Sequence, residues 1–359
     1  MEQSTSITIG VDLGDRYSQL CVVDADGGIV EEGQVRTEES KLRASFGSRA
    51  RARVVMEAGT HSPWVSRLLE GLGHEVVVAN PRQLRLISQS DRKSDRYDAQ
   101  VLARLGRVDP ALLRPIRHRS AETLADREML RARDTLVRAR TQLVNHVRSA
   151  VKVTGGRLPA SGTSAFVKKV SPAIPARVRP ALEPVLGVIT ALNEALRHYE
   201  RELETLADTR HPETACLRQV AGVGVVTSLA YVLTLEDPHR FAKSRSVGAY
   251  LGLRPRQHQS GDMDLQMRIS KAGDRDLRRL LVQSAHYILG PFGPDTDLKR
   301  YGQRLAARGG KSAKKRAVVA VARKLAVLLH RLWVTGEVYE PLRAVARKAE
   351  SERAEGAAA

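Results

Sequence analysis

Between about Ser120 and His211 the chain carries two apolar stripes at helical spacing, separated by a break, and this pattern limits the possible architectures most. Leu130, Val137, Val144 and Val151 are spaced by seven, and Leu136, Leu143 and Val147 widen the stripe. After a stretch rich in Gly, Pro and Ser from Gly155 to Pro180, Leu182, Leu186, Ile189, Leu196, Tyr199, Leu203 and Leu206 recur at threes, fours and sevens. Such spacing puts each set on one face of a long helix. The simplest expectation is an antiparallel coiled-coil arm over residues 119–211, two helices folding back on one another. Two ordinary helices of a bundle would show the same periodicity.

An arm of that length divides the chain. Residues 1–118 then form one unit, residues 212–345 another, and the charged, Ala-rich residues 346–359 a disordered tail. In the first unit Ile7 to Gly14 alternates and breaks at a glycine, Leu20 to Asp24 returns as an apolar strand, and Asp26-Gly27-Gly28 is a hairpin signal before a third strand from Ile29 to Arg36. Val54 to Gly59 reads as a short buried strand, Trp64 to Leu72 as a helix and His74 to Ala79 as another strand. From Ser94 the pattern is helical. Three antiparallel strands followed by alternating helix and strand predict an α/β domain.

Composition narrows the partners. The 359 residues carry 59 Lys+Arg against 40 Asp+Glu, a formal net charge of +19. That excess repels itself unless a polyanion screens it, which favours nucleic acid over an anionic membrane surface or a merely solvated basic exterior. Hydrophobic residues make up 42%, which excludes wholesale disorder, and no apolar run is long enough to cross a bilayer. The opening MEQSTSITIG has no basic-then-apolar leader pattern, and Cys21 and Cys216 lack metal-ligand spacing, so a reducing cytoplasm is expected.

The C-terminal unit reads as mainly helical. Gly222 and Gly224, in Val220-Ala221-Gly222-Val223-Gly224, form a helix-hairpin-helix-like turn before the apolar helix from Val225 to Leu233. Backbone N–H groups there can hold a phosphate, although such a turn is as often a plain cap. Lys299 to Lys324 contains no acid, and Lys314-Lys315-Arg316 opens an amphipathic basic helix suited to nucleic acid or to water. In SVGAYLGLRPRQHQSGDMDLQMRIS an apolar helix and a proline break precede a polar loop in which Ser260 stands beside Gly261. Arg254, Arg256, His258 and Arg268 can clamp a phosphate beside a serine nucleophile. From chemistry alone Ser260 is more readily explained as a turn serine; Ser244, Ser246 and Ser270 compete with it, and Ser270-Lys271 can instead cap the helix from Asp274 to Leu289.

Four acids stand in suggestive places. Asp12 ends the first strand, Glu57 ends another, and Asp95 and Asp98 lie three apart on a helix within RKSDRYDAQ, so their side chains share a face. Carboxylates without His or Cys suit hard cations, Mg²⁺ or Mn²⁺, and a pair of such ions would serve phosphoryl transfer. The basic residues of that motif would draw phosphate toward the metal. Taken singly, each acid is explained by exposure to solvent. GVDLG is also similar to the first phosphate-binding hairpin of actin-like sugar kinases. No second such hairpin or adenosine-binding Gly-Gly segment accompanies it here.

Taken together, Asp12 in GVDLG, Glu57 in VVMEAGT and KSDRYDA resemble the DEDD motif of one bacterial insertion-sequence transposase family. The stretch from VAGVGVVTSLAYV through LGLRPRQHQSG to ISKAGDRDLRRLLVQSA resembles that family's second domain in order and spacing. The resemblance spans about residues 6 to 335 and implies an RNase H-like domain similar to Holliday-junction resolvases. It implies that Asp12, Glu57, Asp95 and Asp98 hold divalent metal and that Ser260 joins DNA covalently. It further implies a structured non-coding guide RNA, DNA as substrate and a homo-oligomer, dimer or tetramer, in which one subunit's acids work beside another's serine. Arg254, Arg256, Arg268, Lys271, Lys314, Lys315 and Arg316, with Gly222 and Gly224, are then the expected nucleic-acid contacts. Asp262 and Asp264 follow Ser260 where many relatives are basic or glycine-rich. The rival classes are a metal-dependent, structure-selective junction nuclease and a nucleic-acid-binding protein without catalysis.

Overall fold

The computed structural model describes residues 7–81, 94–260 and 263–343, with the side chains of residues 258–266 outside that description. Arg92, Lys93, Gly261, Asp262 and the expected tail 346–359 therefore lie outside the described residues. The chain divides into two compact units, residues 1–121 and 122–359.

The first unit is built on a five-stranded sheet. Its strands are β1 (Thr8–Asp12), β2 (Tyr17–Val23), β3 (Ile29–Arg36), β4 (Arg53–Glu57) and β5 (Glu75–Ala79), in the order β3-β2-β1-β4-β5. β1 pairs antiparallel with β2, and β2 with β3, through short links. β4 runs parallel to both β1 and β5, so each connection must cross over, through α1 (Glu39–Gly47) and α2 (Ser62–Gly71). Side chains alternate across a strand, and both faces are apolar. Ile9, Val11, Leu20, Val22, Val54, Met56 and Val78 pack on α1 and α2 through Leu42, Phe46, Val65 and Leu69. Cys21, Val23, Val55, Val77 and Ala79 face the other way, toward α3 (Asp95–Val108).

The approach of α3 to the sheet is set by two glycines. A Cβ on Gly10 would meet the Ala99 carbonyl oxygen at 2.0 Å and the Ala103 nitrogen at 2.5 Å; one on Gly106 would meet Val55 Cγ2 at 2.3 Å. Helix backbone thus rests directly on strand backbone. Because Ala99 and Ala103 lie over Gly10 while Gly106 lies near Thr8, α3 runs opposite to β1 and its first turn comes to the strand's C-terminal end.

The second unit opens with the two long helices, α4 (Ala121–Val153) and α6 (Arg179–Thr209), separated by the short α5 (Phe166–Val170). They run antiparallel: Arg133 pairs with Glu200 at 3.4 Å, and Arg140 donates to Asn193 Oδ1 at 2.8 Å. The apolar stripes form cores at both ends of the pair, and midway these polar ties flank the buried Leu196. At one end Val144, Val147 and Val151 pack on Leu182, Leu186 and Ile189, with Phe166 and Val170 from the Gly/Pro/Ser-rich break filling the same core. At the other, Leu203 and Leu206 pack against Leu229 and Leu233.

Consecutive residues at the start of α4 lock that second end. Asp126 accepts from Arg210 at 2.7 Å and bonds His211 at 2.9 Å. Arg127 reaches Thr234 at 3.2 Å and Asp274 at 2.6 Å. Both Arg127 and Asp274 are largely buried, so removing either partner alone would strand a charge, at a cost of about 3–5 kcal/mol.

The remaining elements are α7 (Thr214–Arg218), α8 (Val225–Leu235), α9 (Arg245–Tyr250), the hairpin β6 (Pro255–Ser260) and β7 (Met263–Ile269), α10 (Arg275–Leu289), α11 (Asp297–Ala307) and α12 (Ala313–Thr335). Their core surrounds α12, whose Ala317, Val321, Ala322, Leu325 and Leu329 are buried. The buried Tyr231 hydroxyl donates to the Ala326 carbonyl at 2.6 Å. Two local expectations change. The polar loop around Ser260 is an antiparallel hairpin, pairing Pro255 with Ile269 and Ser260 with Met263. The cap of α10 is Asp274, whose Oδ1 accepts from the Leu277 amide at 2.8 Å, while Ser270 Oγ accepts from Ala272 N instead.

Candidate active site and nucleic-acid interface

The sheet's register explains how the four acids converge. Gly10 pairs with Val55 and Val11 with Met56, so Asp12 and Glu57 occupy the next row, at neighbouring strand ends. By alternation Asp12 lies on the Gly10 face and Glu57 on the Val55 face, which is the side that α3 covers. α3 begins at that end, and its first turn supplies Asp95 and Asp98. Ser94 caps the helix, its Oγ accepting from the Tyr97 amide at 3.2 Å. Acids in a first helical turn are favoured by the exposed N–H groups there.

The electrostatics record this convergence. Asp12 is raised from the usual carboxylate range to about 6, first by burial and then by the charges of Asp95, Asp98 and Glu57. Four acids from three elements thus share one field, which a cation would relieve. Among the described residues no three His, Cys, Asp or Glu side chains stand close enough together to hold an ion directly. The donor set fits a hard divalent cation in chemistry, with closer approach of the carboxylates required on binding.

Arg96, expected to draw phosphate, is engaged elsewhere. Its guanidinium forks onto Glu32 of β3, with Nε at 3.0 Å from Oε1, and Gln100 donates to the same carboxylate at 2.6 Å. Glu32 is held down at about 2, chiefly by its hydrogen bond from Arg96 and then by that from Gln100. This tie pins the acidic turn of α3 against the sheet. At the rim, His61 Nε2 lies 3.6 Å from Asp15, and Trp64 donates to His61 Nδ1 at 3.1 Å. The sequence reading missed both His61 and Asp15; their positions four residues after Glu57 and three after Asp12 were the available signal.

In the second unit the expected basic contacts fall into separate places. Arg268, Lys271, Lys315 and Arg316 line one groove of about 1320 Å³, floored by Leu253, Ile269, Leu298 and Val319. Arg245, Arg323 and Lys324 join them, with Lys324 Nζ 4.1 Å from the centre of the Tyr301 ring. Sequence reasoning missed these three because Arg245 comes from α9, while Arg323 and Lys324 lie two turns further along α12 than its opening basic run. Arg254 and Arg256 sit at the hairpin's base outside this groove, Arg254 bonding Gln257 and Arg256 the Ser270 carbonyl. Lys314 is exposed on α12 outside it. The backbone of Ser260 ends β6, and its side chain is outside the described residues, as is that of His258.

Gly222 and Gly224 line a second groove of about 670 Å³ with Arg131, Arg133, Arg140, Arg218 and Arg279. Gly222 has φ +87°, and a Cβ there would meet Tyr287 Cδ1 at 2.9 Å, so the turn needs glycine on two counts. Gly224 precedes α8 and is exposed.

Comparison with known proteins agrees with both units. Residues 9–155 match a DEDD-type transposase model, and residues 214–297 match that of the transposase IS116/IS110/IS902 family. A transposase for insertion sequence element IS1111A from Coxiella burnetii is 30% identical over 340 residues, covering 92% of this chain and 90% of the relative. The chain belongs to the IS116/IS110/IS902 transposase family. A probable family 20 transposase from Pseudomonas aeruginosa is 29% identical across 93% of this chain and 98% of its own length. A pilin gene-inverting protein from Moraxella bovis is 24% identical over 70% of each.

The transposase is accordingly an enzyme of DNA cleavage and strand transfer, and it binds DNA. Its DEDD-type domain points to dependence on a divalent metal. Among the described residues of the transposase no helix is long and apolar enough to cross a membrane.

Proposed function

We propose that this transposase exchanges DNA strands through a covalent bond between Ser260 and DNA, with Asp12, Glu57, Asp95 and Asp98 as the metal-holding acids. The observation that carries the acidic half is the raised carboxyl of Asp12, at a strand end beside Glu57 and within the field of Asp95, Asp98 and Glu57. A divalent ion, Mg²⁺ or Mn²⁺, held by those carboxylates supplies Lewis-acid stabilisation of charge on the scissile phosphate. Ser260 Oγ loses its proton and bonds to phosphorus, the phosphorus–deoxyribose oxygen bond breaks, and the leaving hydroxyl takes up a proton. Attack by another strand's hydroxyl reverses the step, rejoins DNA and frees the serine.

In this reading the five-stranded unit is an RNase H-like domain, in keeping with its strand order, and residues 119–211 are a coiled-coil arm. Residues 212–345 form the serine domain with its helix-hairpin-helix-like turn at Gly222 and Gly224, and residues 346–359 form a tail. Arg268, Lys271, Lys315 and Arg316 hold phosphates along the larger groove, while Arg254, Arg256 and Lys314 add contacts around it. A structured non-coding RNA guides target choice, and a dimer or tetramer brings one subunit's acids beside another's serine, at the nucleoid of a bacterial cytoplasm.

The test is strand cleavage with DNA ends of the element, its adjoining transcript and Mg²⁺, read on denaturing gels with and without protease. Ser260→Ala is expected to abolish both cleavage and the protein–DNA adduct, and Asp12→Ala to abolish cleavage. Cleavage retained in Ser260→Ala would remove the serine assignment and leave a metal-dependent nuclease.

A further inference from the structure

Phe292 stands apart among the four phenylalanines of the chain. Phe46 and Phe166 are fully buried and Phe241 packs edge-on against Tyr250 and His330, whereas Phe292 is 85% exposed. A single exposed apolar side chain needs no explanation by itself. The unusual feature is how firmly its loop, Gly290-Pro291-Phe292-Gly293-Pro294, is held between α10 and α11. Lys299 Nζ donates to the Gly290 carbonyl at 3.2 Å and to that of Gly293 at 2.6 Å. From the other side Gly293 presses onto the end of α10, where a Cβ would meet the Ile288 and Tyr287 carbonyl oxygens at 2.4 and 2.6 Å. The two prolines fix φ on either flank. An exposed aromatic on a braced loop loses little freedom on binding, which favours its use as a contact.

The same end of α10 carries Tyr287, which is 47% exposed and lines the arginine groove with its ring against Gly222. We propose that Tyr287 and Phe292 form a stacking platform for unpaired bases of a nucleic acid whose phosphates run along that groove, drawing Arg131, Arg133, Arg218 and Arg279 from the carboxylates of Glu128, Glu200, Asp208 and Asp134 with which they pair in the free protein. The proposal rests on the groove being a nucleic-acid interface. Cations beside aromatic faces are what sequence-tolerant single-strand binding requires, because every base offers a π-face. Strand transfer separates paired strands, so unpaired bases of DNA must be accommodated during the reaction.

Fluorescence anisotropy with the full chain tests this against three probes of one sequence: single-stranded DNA, its duplex and the equivalent single-stranded RNA. Phe292→Ala should weaken binding of one or both single strands by about fivefold to about a hundredfold, the range of one base–aromatic stack, and leave the duplex unchanged. Loss on DNA, on RNA or on both identifies the strand served. Phe292→Trp should restore affinity, and its emission should be quenched as single strand is added. Unchanged single-strand affinity in Phe292→Ala, equal loss on the duplex, or unquenched emission at saturation would overturn the platform. A fall in oligomeric mass with unaltered affinity would assign Phe292 to contact between copies and overturn it too. Arg133→Gln separates the two levels: unchanged affinity for all three probes removes the groove reading itself, and the platform with it.

Discussion

Gly10 of β1 lies so close beneath Ala99 of α3 that a Cβ would meet the Ala99 carbonyl oxygen at 2.0 Å. That contact sets the height of α3 over the sheet, and therefore the distance from Asp12 to Asp95 and Asp98. Gly10→Ala should destabilise the protein by about 1–3 kcal/mol, the usual cost of overpacking, because helix backbone has no rotamer with which to yield. Urea unfolding followed by circular dichroism measures it. The same variant should bind Mn²⁺ more weakly, since the helix that bears two of the acids is pushed away.

Asp12 makes stability depend on pH in an unusual direction. Its folded value of about 6 lies above the unfolded one, so the folded chain holds that proton more tightly, and stability falls as pH rises toward 6. Asp12→Asn should therefore raise the melting temperature of metal-free protein above pH 6. Partial exposure to water limits the gain to about 1 kcal/mol. The gain should fade as pH falls below 6 and vanish below the ordinary carboxylate range. Differential scanning calorimetry in EDTA at pH 4 and pH 7.5 separates the two regimes, and equal shifts at both would contradict the charge cluster.

Much of the first unit was legible because its signals are local. Alternation marked the first strand and continuous apolar runs marked β2, β4 and β5, Asp26-Gly27-Gly28 marked a hairpin, and the three-residue spacing of Asp95 and Asp98 placed them on one face. α1 was not, because its apolar face is only Leu42 and Phe46 in an otherwise polar segment. The hairpin after Pro255 carries a period-two signal in Met263, Leu265, Met267 and Ile269 that its polar surroundings masked. The role of Gly10 could not be read at all, since only the neighbouring helix reveals what a side chain there would strike. The same holds for the larger groove, whose cations come from residues 245 to 343 and meet only in the fold.

That groove yields a prediction on salt. If Lys315 and Arg316 each neutralise one phosphate, Lys315→Ala with Arg316→Ala should reduce the slope of log affinity against log salt by about 2. Neither residue is buried, so the melting temperature should hardly move. Anisotropy titrations of duplex DNA across a salt series read the slope. A variant with the parent's slope would place the DNA elsewhere.

Binding of Mn²⁺, followed by calorimetric titration at pH 7.5, bears most directly on the meeting of Asp12, Glu57, Asp95 and Asp98. The parent should bind the ion, and Asp12→Asn, Glu57→Gln and Asp98→Asn should each weaken binding by about tenfold or more while remaining folded. Parent-like affinity in all three variants would show that these acids do not act as one metal site.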